Sequence, residues 1–280
     1  MVILCLQLNL GVRQINEHLS EFLSGLNSTL ATLDGLLAQY TPRNPHYVAD
    51  MVLHGFARDV STHVHATILV ADSNYPRAAY ANARSAFEAA QDAALLASDT
   101  GSYDVNGALA FCVEQVEHEA LQKRWEDAAA EWSIVKDRTG RLSPEELIEK
   151  ESHELDSLSQ GAAQLLRNAL IEARKPRRAK KHWSGKTRAE ISKLIQQRMP
   201  PLKGLAAGGD AFYGMMSVQS HPRLRAWSEL RSIRPDGSLH AEPGPEHSSL
   251  PIGLAAFAVQ LTIVALATRL GDSSALNETA

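Results

Sequence analysis

The stretch RAAYANARSAFEAAQDAALLAS, Arg77 to Ser98, decides the fold class. Ten of its residues are alanine. Alanine is the best helix former and is depleted in strands. The stretch shows no alternation of polar and apolar residues, so it reads as a helix. Its small side chains let another helix approach closely. Across the whole chain, 44% of residues are hydrophobic, 21% charged and only 6% aromatic. That balance fits a globular protein built from helices packed through small residues.

Working outward, the segment from His46 to about Ser73 carries Val48, Val52, Phe56, Val60, Val64 and Ile68 on one stripe, and SNYP ends it. Before it, Val12, Ile15, Leu19, Phe22, Leu26, Leu30, Leu33 and Leu37 step by threes and fours, the pattern of an amphipathic helix. TPRNP stops that helix with two prolines. Beyond Ser98, DTGS precedes a helix from Val105 to about Arg138. RLSPEEL then predicts a helix start, with Ser143 as cap, Pro144 at the first position and Glu146 three residues after the cap. We expect that helix to run on to about Arg174. A basic linker leads to a short helix, Ala189 to Arg198, which ends at two prolines. GGD predicts the start of the next helix, with Asp210 as its cap. The loop from Arg234 to Ser249 contains Asp236-Gly237, a dipeptide that permits a small hairpin. The final apolar run, Leu250 to Ala267, approaches membrane-spanning length. Its Pro251, Gly253, Gln260 and Thr262 point instead to a core helix. No strand pattern of any length appears.

Net charge is −4, so nucleic acid would need a local basic patch. Cys5 and Cys112 form neither a metal motif nor a disulfide framework, which fits a reducing cytoplasm. The opening MVILCLQLNL lacks a basic flank and reads as a lead-in to the first helix, not a signal peptide.

Three clusters carry chemical potential. In FYGMMSVQSHP, Tyr213, Ser217 and His221 are spaced by four, which puts them on one helix face. They form either a proton-exchanging pocket or a locally satisfied polar ladder. In the opening stretch, Arg84 and Glu88 lie one turn apart among apolar neighbours. They form either a surface ion pair or an anion ligand whose guanidinium is held by a carboxylate. In RKPRRAKKHWSGKT, Arg177, Arg178, Lys180, Lys181 and Lys186 surround Trp183. They form either a solvated loop or a grip on a phosphate backbone with a ring for base stacking. GKT is not a nucleotide-triphosphate loop, because the glycine such a loop needs at position 180 is lysine. Glu114 with His118, and Asp59 with His63, read as surface pairs. No metal or cofactor is expected.

ARSAFE (83–88), HWSGKT (182–187) and YGMMSVQSH (213–221), in that order and followed by an apolar last helix, resemble a bacterial all-helical family of unknown function. That family is similar to the HEPN (higher eukaryotes and prokaryotes nucleotide-binding) domains. The resemblance spans roughly Asn74 to Gly271 and matches Arg84, Glu88, Trp183, Gly185, Tyr213, Ser217 and His221. The pattern along the chain predicts an all-α bundle of seven or eight helices, with a small loop or hairpin before the last one, and the resemblance makes that bundle HEPN-like. The expected organisation is an N-terminal helical pair over 1–73, a HEPN-like domain over 74–271 and a disordered tail over 272–280.

HEPN proteins include metal-independent ribonucleases of toxin–antitoxin and phage-defence systems. By resemblance, His221, Arg84 and Glu88 are the catalytic candidates. Tyr213, Ser217 and Trp183, together with Arg177, Arg178, Lys180, Lys181 and Lys186 of the basic run, are the substrate-binding candidates, and RNA is the expected ligand. The usual signature places Arg four to six residues before the His. Here Ser217 stands four before His221, and Arg223 and Arg225 follow it, so Arg84 would supply the cation from another helix. The alternative is a non-catalytic partner protein, antitoxin-like or an oligomeric scaffold, in which the polar cluster is structural and the N-terminal helices form a homodimer or partner interface.

Overall fold

The computed structural model describes residues 12–43, 45–71, 76–131, 142–175, 182–220, 232–233, 239–240 and 249–270. Only backbone is described at 12–20, 76–77, 128–131, 215–220, the two short strands and residue 249. The fold is all-α. The described residues form nine α-helices: α1 Val12–Gln39, α2 Tyr47–Ala71, α3 Pro76–Ser98, α4 Tyr103–Glu131, α5 Pro144–Leu158, α6 Ala162–Ala173, α7 Arg188–Arg198, α8 Lys203–Ser220 and α9 Ser249–Leu270. A 3₁₀ turn, Pro200–Leu202, joins α7 to α8. A two-residue antiparallel hairpin precedes α9, with β1 Ser232–Ile233 paired to β2 Leu239–His240.

The helices group into two compact units that interleave along the chain. One unit holds residues up to Tyr40, Gly55–Ser98 and Arg188 onward. The other holds Thr41–His54 and Asp99–Thr187.

In the first unit, α9 lies against α3, α1 and α8, while α7 and α8 pack on α3. Ala83, Ala86, Ala90 and Ala94 of α3, and Leu254, Ala255, Ala258 and Ala265 of α9, are fully buried. Alanine on both sides permits the close approach that the opening stretch foretells. The α9 helix is long and apolar enough to cross a membrane, yet 78% of its most apolar window is buried inside the protein. Thr262 hides its hydroxyl by donating to the Ala258 carbonyl at 2.8 Å, a local bond that lets a polar residue sit in a core helix.

In the second unit, α4, α5 and α6 pack on one another. The expected capping box is present. The Ser143 hydroxyl accepts the Glu146 amide at 3.3 Å, and the Glu146 carboxylate accepts the Ser143 amide at 2.8 Å. The single helix expected to reach Arg174 is instead split into α5 and α6 at Ser159–Gly161. Gly161 adopts φ 80°, a region open to glycine and costly for other residues. Asp156 accepts the Ala163 amide at 3.1 Å, and Ser159 donates to the Pro45 carbonyl at 2.7 Å. These two bonds stabilise the break. Cys112 is buried and donates to the Leu166 carbonyl at 3.4 Å. Burial pushes its thiol up to about 12, with the nearby Glu145 charge adding to the shift.

Candidate functional site

Along α3, Arg84, Glu88 and Asp92 recur at one-turn spacing and so share a face. Glu88 is the hub. Its Oε1 accepts Arg84 Nε at 2.9 Å and the Tyr213 hydroxyl, from α8, at 2.6 Å. Arg188, the first residue of α7, donates from Nη1 to the Glu88 carbonyl at 2.9 Å and to Asp92 Oδ1 at 2.6 Å. Its Nη2 reaches Asp92 Oδ2 at 3.4 Å and lies 4.0 Å from Glu88 Oε2. The Arg84 guanidinium carbon sits 5.1 Å from the Tyr213 ring centroid, within cation–π range. The Tyr213 and Phe87 rings are 6.1 Å apart. The Tyr213 helix therefore packs on the Arg84 helix.

Glycine makes that packing possible. A Cβ on Gly209 would fall 2.1 Å from Cε2 of Phe87, so only a bare backbone lets α8 come this near. This also corrects the expected start of α8. Gly208, Gly209 and Asp210 lie inside the helix, which begins at Lys203. Asp210 is no cap, because its Oδ1 accepts Gln91 Nε2 at 3.1 Å across the α3–α8 contact.

The cluster is part-buried. Side-chain exposure is 27% for Arg84, 30% for Glu88, 27% for Arg188 and 12% for Asp92. Two cations face two anions, so the formal charge of the four groups is zero. Burial alone would lower the Arg84 pKa. The hydrogen bond to Glu88 and the attraction of Tyr213 and Glu88 outweigh burial, and the net direction is up. Burial, then the bond to Glu88, pushes the Tyr213 phenol up to about 12. Tyr213 therefore stays a neutral donor at physiological pH.

No family model, curated protein or solved structure matches this chain.

Of the expected site residues, Arg84, Glu88 and Tyr213 come together. Ser217 lies on α8, but only its backbone is described. His221, Arg177, Arg178, Lys180 and Lys181 lie outside the described residues. Lys186 is exposed. Trp183 is buried, with 7% of the residue exposed. The HWSGKT segment forms a turn, with the Gly185 amide donating to the His182 carbonyl at 2.9 Å. Gly185 takes φ 67° there. At the start of the basic run, Arg174 donates to Glu145 at 2.7 Å through both Nε and Nη2, and it also pairs with Glu119. Lys175 pairs with Glu172. Both charges are already engaged.

Two participants went unforeseen, Asp92 and Arg188. The signal for Asp92 was its place one turn beyond Glu88. Arg188 follows GKT directly, but nothing local says that it pairs back onto a helix about a hundred residues earlier.

Asp210 carries a pH prediction. Burial raises its pKa above the ordinary 3.8, against the hydrogen bonds from Ser192 and Gln91, which lower it. A raised carboxyl makes the folded state bind the extra proton, so stability is lost as pH climbs through the folded pKa. Asp210→Asn removes that loss and can still accept both hydrogen bonds. In urea unfolding across pH, the wild-type curve should fall relative to the variant above about pH 4. A difference curve that is flat, or that rises with pH, contradicts this.

Proposed function

We propose that the chain is a HEPN-like helical protein whose α3–α7–α8 site binds a phosphate-bearing ligand, RNA. The supporting observation is Arg84 itself. A carboxylate holds its Nε at 2.9 Å, while about a quarter of its side chain stays open to solvent. A planar fork fixed in this way matches the oxygens of a phosphate and gives up little freedom on binding it. Tyr213 braces the same carboxylate from the other helix.

In the ribonuclease form of this reading, a 2′-hydroxyl attacks the neighbouring phosphorus. His221 takes the hydroxyl proton or returns one to the leaving 5′-oxygen. Arg84 balances the phosphorane charge. The products are a 2′,3′-cyclic phosphate and a 5′-hydroxyl, and no metal takes part.

The test is a labelled single-stranded RNA mixed with the protein in EDTA, followed by anisotropy and by gel. Saturable binding supports the proposal. Cyclic-phosphate products that disappear in His221→Ala establish the ribonuclease form, and intact RNA establishes binding alone. A second reading, a non-catalytic partner protein with a structural polar network, draws support from Glu88 already engaging Arg84, Tyr213 and Arg188. It is favoured if wild-type protein binds no RNA while Glu88→Ala melts well below wild type.

A further inference from the structure

We infer that the C-terminal half of α4 is a homodimer surface, along which a second copy of this chain lays the same helix antiparallel. No residue of the α3–α7–α8 cluster takes part. Between α4 and the end of α6 runs a groove of about 410 Å³. Its α4 wall is Val113, Val116, Glu117, Ala120, Leu121 and Arg124. Those positions recur at three and four residues, so they share one helix face. Beyond Val116 the helix opens to solvent, and residues 123–127 are all exposed. Leu121 is 60% exposed and Trp125 68%. Two large apolar side chains one turn apart, beside an apolar groove, form a patch of the kind that marks an interaction site, unlike singly scattered surface residues.

Charge complementarity selects the occupant. Glu117 and Arg124 are the charged residues of the α4 wall, and both are exposed. They lie two turns apart, about 10 Å along the helix axis, too far to pair with each other in one chain. A two-fold axis beside Leu121 solves this for an antiparallel pair of α4 helices. Glu117 then meets the partner's Arg124, and Arg124 meets the partner's Glu117. The same axis sets Leu121 against the partner's Leu121, with Trp125 one turn along to flank that contact. A parallel pair would set Glu117 against the partner's Glu117 instead. An isologous interface needs a patch that complements itself under a two-fold rotation, and this face has the charges in that order.

The test is sedimentation equilibrium of the full chain, with circular dichroism to show that each variant is folded. Wild type should be mostly dimer at about 100 μM, as suits an interface of modest size. Glu117→Arg alone and Arg124→Glu alone each place like charges face to face twice in the dimer, and each should weaken it by about tenfold or more. Mixing the two single variants sets every arginine against a glutamate again, so the mixture should pair about as well as wild type. That rescue reports a contact between chains, which a change confined to one chain would not give. Trp125→Ala should also weaken the dimer. Wild type that stays monomeric overturns the inference, and leaves the groove to another protein or to this chain itself. A dimer indifferent to Glu117→Arg and Arg124→Glu overturns it by placing the interface elsewhere, and single variants that do not pair on mixing overturn the antiparallel arrangement.

Discussion

On the proposed RNA-binding reading, Arg84→Ala should weaken binding of single-stranded RNA by about tenfold to a hundredfold, the range expected for losing a hydrogen-bonded charge on a phosphate. It should also reduce the dependence of log K on log salt by about 0.7, the signature of one lost phosphate contact on a single strand. The two readouts together separate direct contact from damage to the fold. A variant that merely loosened α3 would bind less without changing its salt slope. Arg84→Lys is the informative partner. It keeps the cation but loses the Nε donor that meets Glu88 at 2.9 Å, and it has no planar fork. It should therefore keep most of the salt slope and lose much of the affinity. Unchanged affinity in Arg84→Ala would mean that RNA binds elsewhere, if it binds at all.

The largest stability effect falls on Gly209. A leucine there has to occupy space already filled by Phe87, since even a Cβ would lie 2.1 Å from the ring. Phe87 is fully buried and cannot swing out. Gly209→Leu should cost about 3 kcal/mol, at the upper end of overpacking effects, and should push Tyr213 away from Glu88. Gly214, five residues along the same helix, has no atom of the described residues within 4 Å of a would-be Cβ. Gly214→Ala should stabilise by about 0.5–1 kcal/mol, because alanine is the better helix former. Guanidinium unfolding of the two variants compares them directly. Equal effects of one sign would refute the close packing of α8 on α3.

Much of the fold was legible in the residues. The alanine-rich third helix, the stripe of Leu26, Leu30 and Leu33, and the Ser143–Glu146 cap each rest on local chemistry, and each is present. The break at Gly161 and the continuity of α8 through Gly208 and Gly209 were misread for one reason. Glycine marks either a turn or a close contact, and its neighbours in sequence do not say which. At Gly161 it is a turn, and at Gly209 it is the contact with Phe87. The same limit applies to the site. Arg84 and Glu88 were visible as a pair one turn apart, and Tyr213 as one member of a polar ladder spaced by four. Arg188 was not visible, because its bond to Asp92 spans 96 residues and only the fold brings the two together.

The most direct test of the central claim is the Arg84 side chain itself. RNA is titrated into protein labelled with nitrogen-15 at arginine, and the Arg84 Nε–H resonance, assigned with Arg84→Lys, is followed. A saturable shift is expected, with the same dissociation constant as anisotropy reports. RNA that saturates the protein while the Arg84 signal stays still would place binding on other residues and contradict the account.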